Sequence, residues 1–253
     1  MTARRFARPL LALSVLLTTG AILAGCESRS REPQTGSYRA VLEVQGQELP
    51  FGLEIAQQSG RYVLTLVNGE ERVRVTDVSL ADGQLTARLS KDGNTLSARV
   101  RGGTLEGEVS LQREDGTPEV LPFSAEFGQS WRFVETPLTD NADVSGRWTV
   151  TYTGDAGGTT IGRAELTQSF ERVTGTVLAP TGEQRSVAGE VRGDELFLSG
   201  FDGVSADLYR ARLDADGNLA GDHWSGTRGH ERFRALPAGA HHPHDAASRK
   251  ATS

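Results

Sequence analysis

Cysteine is nearly absent from this chain: Cys26 stands alone among 253 residues. A single thiol forms no internal disulfide, so stability must come from packing, and disulfide exchange lacks its resolving partner. No histidine precedes His223 and no Gly-x-Ser-x-Gly elbow occurs, which removes the usual signatures of nucleophilic catalysis. Phosphate loops and dinucleotide fingerprints are missing as well. Beyond the N-terminus, no apolar run approaches membrane-spanning length.

What is present begins with a charged start (Arg4, Arg5, Arg8), an apolar run from Pro9 to Leu23, and Leu23-Ala24-Gly25-Cys26. This is the layout of a secretory signal peptide over residues 1–25, because the apolar run is too short to span a bilayer. Leu-Ala-Gly-Cys resembles the bacterial lipobox, in which the cysteine is joined to a diacylglycerol and becomes the first residue. Cys26 is therefore expected to be lipidated, placing the protein in the bacterial cell envelope. Glu27 after the cysteine, in place of aspartate, favours the outer membrane with the body facing the periplasm, by similarity to sorted lipoproteins. Cleavage before Cys26 removes three of the 27 basic residues, leaving 24 against 33 acidic ones and a net charge of −9. That acidity argues against nucleic acid as a partner and against anionic headgroups.

Residues 26–36 read as the lipidated cysteine and a flexible tether. From Ser37 the apolar period is two. Leu42/Val44, Tyr62/Leu64/Leu66, Val73/Val75, Leu85/Ala87/Leu89, Leu96/Ala98/Val100, Leu105/Val109/Leu111 and Phe123/Ala125/Phe127 alternate with polar neighbours, separated by turn signals such as Asn68-Gly69, Asp82-Gly83 and Gly102-Gly103. The same plan returns from Trp148 to Ala235, with turns at Gly193-Asp194, Asp202-Gly203 and Asp216-Gly217-Asn218. Gly36-Ser37-Tyr38 and Gly146-Arg147-Trp148 open the halves, and Phe123-Ser124-Ala125 and Phe233-Arg234-Ala235 close them, each pair offset by 110 residues. The expectation is an all-β chain of two tandem antiparallel meander, barrel-like domains of roughly eight strands each. They cover 37–133 and 146–236, with a linker at 134–145 and a disordered His-containing tail at 237–253. A recurring apolar-x-Gly-x pattern (Gly107, Gly175, Gly189, Gly221) marks the bends where a sheet curls into a barrel.

The stretches Gly175–Gly182, Ala188-Gly189, Leu196–Gly203 and Asp216–Gly221 resemble the β-rich extra-cytoplasmic N-terminal region of certain TlpA-like (thioredoxin-fold) disulfide reductases. The resemblance covers 146–236 and extends more faintly over 37–133. It implies an accessory role beside extra-cytoplasmic redox proteins supplied by another chain. Its chemistry needs Cys-x-x-Cys, which this chain lacks, so no catalytic residue carries over.

Candidate ligand contacts are His223, Trp224 and His230, which flank a turn at what would be a barrel mouth. His241, His242 and His244 could ligate a transition metal, but the proline among them and the lack of a cysteine partner favour a solvated tail. Asp214–Asn218 has a calcium-loop look without the required spacing, and reads as a hairpin turn. No catalytic, cofactor or metal site is expected. The residues support a lipid-anchored, non-catalytic binding or accessory module. The alternatives are a lipocalin-like carrier of a small ligand, and a hydrolase whose site leaves no linear motif. A hollow barrel would mark the carrier, and a filled one the interaction module.

Overall fold

The computed structural model describes residues 31–113, 115–154 and 157–239. Cys26 and His241, His242 and His244 lie outside them. Among the described residues every regular element is a strand. The first sheet contains β1 (Gly36–Val44), β2 (Gln47–Gln58), β3 (Arg61–Asn68), β4 (Glu71–Val75), β5 (Val78–Ala81), β6 (Gln84–Arg88), β7 (Thr95–Arg101), β8 (Thr104–Gln112) and β9 (Pro118–Phe127). The second contains β10 (Gly146–Gly154), β11 (Thr159–Ser169), β12 (Arg172–Leu178), β13 (Gln184–Arg192), β14 (Glu195–Phe201), β15 (Ala206–Leu213), β16 (Leu219–Ser225) and β17 (Gly229–Pro237). All pairings are antiparallel. β10–β17 close into an eight-stranded barrel, while the nine strands of the first sheet run β4-β3-β2-β1-β9-β8-β7-β6-β5 and leave a nearly closed barrel split between β4 and β5.

The split accounts for the ninth strand. Residues 71–81, moved by 110, fall on 181–191, the place of the single strand β13; in the first sheet that strand is interrupted at Thr76-Asp77. Asp77 turns its carbonyl and carboxylate to Arg88 instead of continuing the ladder toward β4. β2 went unread in the sequence although Leu49, Phe51, Leu53 and Ile55 alternate without a break and all point inward; Pro50 and Gly52 between them are residue types that count against a strand interior.

The 110-residue offset reappears in the pairing. Leu42 faces Phe123 and Ala40 faces Ala125, just as Tyr152 faces Phe233 and Val150 faces Ala235. The opening aromatics also behave alike: the Tyr38 hydroxyl donates to the Gln34 carbonyl (2.8 Å), and the Trp148 indole donates to the Val144 carbonyl (3.0 Å), each four residues upstream. Gly107, Gly175, Gly189 and Gly221 sit where neighbouring strands press together. A Cβ at any of them would overlap the facing carbonyl of Ser97, Glu165, Phe197 or Arg210, so only glycine allows the coil.

The first core is not made by the first half alone. Phe201, Ala206 and Leu208, on the outer face of β14 and β15, are buried in it with Phe51, Leu66 and Leu89. The β14–β15 end therefore stoppers one end of the first barrel. Asn68 accepts from the Phe201 amide (3.1 Å) and donates to the Phe201 carbonyl (2.9 Å), while Asn94 donates to the Gly203 carbonyl (2.9 Å). At the other end of that barrel Pro33 is buried and Gln34 is held by Tyr38, so residues 31–36 lie against the sheet.

Candidate functional site

Among the concave places of the described residues, two are built around buried polar side chains. The first is one mouth of the second barrel. Along β15 the pleat sends Asp207, Tyr209 and Ala211 inward; along β16 it sends Gly221, His223 and Ser225 inward. Register then sets Asp207 opposite Ser225 and Tyr209 opposite His223. Asp207 is 3% exposed. Its carboxylate receives His223 Nε2 (2.9 Å) and Arg185 (2.8 Å), and Arg185 also reaches Glu183 (2.7 Å). The His223 ring stacks on Tyr209 at 4.3 Å with its Nδ1 3.6 Å from Glu231.

Burial alone would raise the Asp207 pKa. The hydrogen bond and charge of His223, Arg185 and the Ser225 hydroxyl outweigh it, so the carboxyl sits below its usual range. An ionised Asp207 can only accept, which makes Nε2 the protonated nitrogen of His223 in this pair. Burial pushes Tyr152 up to about 12 and Tyr209 well above its ordinary value, with the Asp207 charge adding to both. Both phenols are neutral at physiological pH and neither is an activated nucleophile.

Beneath this polar layer the interior is apolar, lined by Val150, Leu166, Leu198, Phe233 and their neighbours, and the free space is about 30 Å³. That is room for about one water, against roughly 300–1,000 Å³ for a typical ligand pocket. The opposite end is plugged: Gln168 bonds the Val144 amide (2.9 Å) and the Ala142 carbonyl (2.9 Å), and Val144 is buried under Trp148.

The second place is a groove of about 670 Å³ between the two barrels, roofed by 128–132 and lined by Arg39, Gly52, Glu54, Arg172, Thr174 and Glu190 among others. Arg132 latches it. Although the residue is half-buried overall, its guanidinium is enclosed and donates to Ser199 Oγ (3.0 Å), the Ser199 carbonyl (3.0 Å), Asn68 Oδ1 (3.2 Å) and the Val67 carbonyl (3.3 Å). Burial pulls its pKa down to about 9, with Glu190 opposing and Arg39 adding to the fall. The Glu190 carboxylate accepts the amides of Arg132 (2.9 Å), Phe133 (2.6 Å) and Val134 (2.8 Å). Arg39 lies over the Trp131 ring at 4.0 Å.

Of the three residues singled out from sequence, the structure separates what the chain sets side by side. His223 enters the barrel. Trp224 and His230 are register partners on the outer face, their rings 5.4 Å apart; His230 meets Asp222 (3.0 Å) and Trp224 packs against the first core. Asp214 spends its carboxylate on the amides of Asp216 and Asn218, as a hairpin turn does. Among the described residues, no group of three or more His, Cys, Asp or Glu side chains is placed to hold a metal ion. Sequence reading missed Arg132, Glu190, Arg185, Asp207, Tyr152 and Tyr209. One signal was available for Asp207: Ala206-Asp207-Leu208-Tyr209 is apolar at both parities around a charge, as in a strand buried on two faces.

No family model matches this chain, and no curated protein does. Among solved structures it is similar to a DUF3598-family protein of unknown function from Nostoc punctiforme. That likeness covers 79% of this chain and 92% of the other, at 11% identity and a TM-score of 0.24.

Proposed function

We propose that the chain is a lipid-anchored protein of the bacterial cell envelope, most consistent with the outer membrane facing the periplasm, and that its body is a non-catalytic binding or accessory module. One observation carries the second half of this reading: the closed barrel leaves about 30 Å³ inside, while the groove between the barrels offers about 670 Å³. A carrier would need the reverse. Recognition is then assigned to the outer surface, above all the roofed groove with Trp131, Arg39 and Glu54 at its rim. The partner class remains the one implied by the TlpA-like resemblance, an extra-cytoplasmic thiol-disulfide protein. The anchor rests on the Leu23–Cys26 lipobox and on the lack of any other use for a thiol.

The test has two readouts. Mass spectrometry of the membrane-extracted protein should find diacylglycerol on Cys26, and Cys26→Ser should move the protein to the soluble fraction or stop its maturation. Titration of a purified envelope thioredoxin-fold domain into the body should show binding that Trp131→Ala weakens. Retention of Cys26→Ser on the membrane rejects the anchor; indifference to Trp131 rejects the groove.

A further inference from the structure

Among the described residues, four two-residue hairpin turns have positive φ at the first central position only, the type II′ pattern that calls for glycine there. Three of them comply, with Gly69 (φ 63°), Gly102 (φ 64°) and Gly193 (φ 64°). The fourth, between β11 and β12, has Phe170 (φ 57°). A phenylalanine in this region of backbone space is strained. Its ring returns nothing to the core, since the residue is 87% exposed. Glycine would suit the backbone and the packing better, so the use of this ring lies outside the fold.

The turn is a stiff mount. Gln168 donates to both the Phe170 and the Ala142 carbonyls (2.9 Å each), the Val191 amide donates to the Glu171 carbonyl (2.8 Å), and the Ala142 amide donates to the Gly193 carbonyl (2.8 Å). Leu138, 45% exposed, leans over Gly193 on the neighbouring turn.

Phe170 also shares a side of the molecule with the root of the tether. Gly69 packs on Thr174, which fixes a common level for the two barrels. From there Phe170 is four residues back along the chain, and Ser37 lies level with Thr65, four residues from Gly69, through the pairs Ser37–Glu54 and Glu54–Thr65. Each path is about 13 Å at strand rise. Both run the same way, because Arg172 and Ser37 line the same groove. Between Cys26 and Arg31, the first described residue, five steps of chain span at most about 18 Å. A lipid on Cys26 therefore holds this side close to the bilayer.

We infer that the Phe170 turn, with Leu138 beside it, docks on the surface of the anchoring bilayer and sets the orientation of the body. This rests on the lipid anchor proposed above. Between the turn and the exposed Ile161 and Leu178 at its far end, the outer face of β11 and β12 carries Arg163, Glu165, Thr167, Thr174 and Thr176, a polar band that suits contact at the turn and not a spanning barrel. With the net charge of −9 that cleavage before Cys26 would leave, the body gains nothing from anionic headgroups, so a contact made by Phe170 and Leu138 should hold on zwitterionic lipid and resist salt.

The lipidated full-length protein in phosphatidylcholine vesicles provides the test. The sulfur of an acylated Cys26 is a thioether, so a thiol-reactive environment-sensitive dye reports only an introduced cysteine. Dye at Phe170→Cys or Leu138→Cys should be quenched by brominated acyl chains and shielded from aqueous iodide, while dye at Val204→Cys, on the opposite end of the barrel, should show the reverse. Phe170→Gly relieves the backbone and keeps the fold; in that background the Leu138 dye should fall to the Val204 level. If the protein floats with the vesicles but 170 and 138 are as exposed as 204, the anchor stands and docking is overturned. Shielding that appears only in native membranes, and not on bare lipid, assigns the face to a protein and also overturns it. If the protein stays in the aqueous phase and Cys26 itself takes the dye, the anchor fails and the docking geometry falls with it.

Discussion

Phe201 of the second barrel packs on Phe51 of the first, ring centroids 4.9 Å apart, so a residue 150 positions downstream closes the core that Phe51 begins. The two halves repeat each other in sequence, but they divide the labour of burial unequally. The second barrel fills its own interior and lends its outer face to the first.

Replacing Phe201 with alanine should therefore cost about 3–5 kcal/mol, as for other buried aromatic truncations. The loss should appear in the first barrel as well as the second. A fragment ending at residue 133 should fail to show a cooperative urea transition by circular dichroism, because its open end exposes Phe51, Leu66 and Leu89. A fragment that melts cooperatively on its own would show the stopper to be dispensable.

Arg132→Ala should destabilise the protein by about 3–5 kcal/mol, since it removes one partner from an enclosed charged network and orphans several acceptors. Arg132→Lys should rescue little, because an ammonium cannot reach acceptors spread around a planar fork. Urea midpoints at unchanged m-value are the measurement.

The two flanks of the pH-stability curve should have different owners. Asp207 titrates low in the folded state, so its contribution is fully present above about pH 3.9 and is lost as pH falls through its lower folded value. Tyr152 and Tyr209 titrate high, so theirs is present below about pH 10 and is lost as pH rises from there. For Tyr152 that alkaline window runs up to about 12, and Arg132, pulled down to about 9 by burial, opposes the fall within it because its unfolded form holds the proton longer. Tyr209→Phe should flatten the alkaline fall without moving the acid limb, read by thermal melts across the range.

Gly189→Ala should unfold or severely destabilise the second barrel, because its Cβ would overlap the Phe197 carbonyl across the ladder. Gly158→Ala, with nothing within 4 Å of its Cβ and no positive φ, should be within about 0.5 kcal/mol of wild type. Thermal melts of the pair separate close approach from the loss of glycine as such.

Much of this molecule could be read one strand at a time. Alternation of period two specified β structure, Asp-Gly and Gly-Gly pairs specified hairpins, and the 110-residue offset anticipated that Tyr38 and Trp148 would open equivalent strands; the structure adds that their register against β9 and β17 also matches. The four glycines of the apolar-x-Gly-x pattern marked the places where strands press closest. These are local properties: the pleat, the turn and the coil each depend on a few neighbouring residues.

The polar sites were not local. His223 and Trp224 are adjacent in sequence, yet one faces Asp207 inside a barrel and the other packs on a different core. Arg132 and Glu190 come from segments 58 residues apart and meet only when both barrels are formed. Sequence alone determined that the chain would form strands, where most of them would turn and that the plan would repeat. The tertiary structure decided which outer face becomes buried and which charges are enclosed, because a period of two says that a strand has two faces but not what will cover each of them.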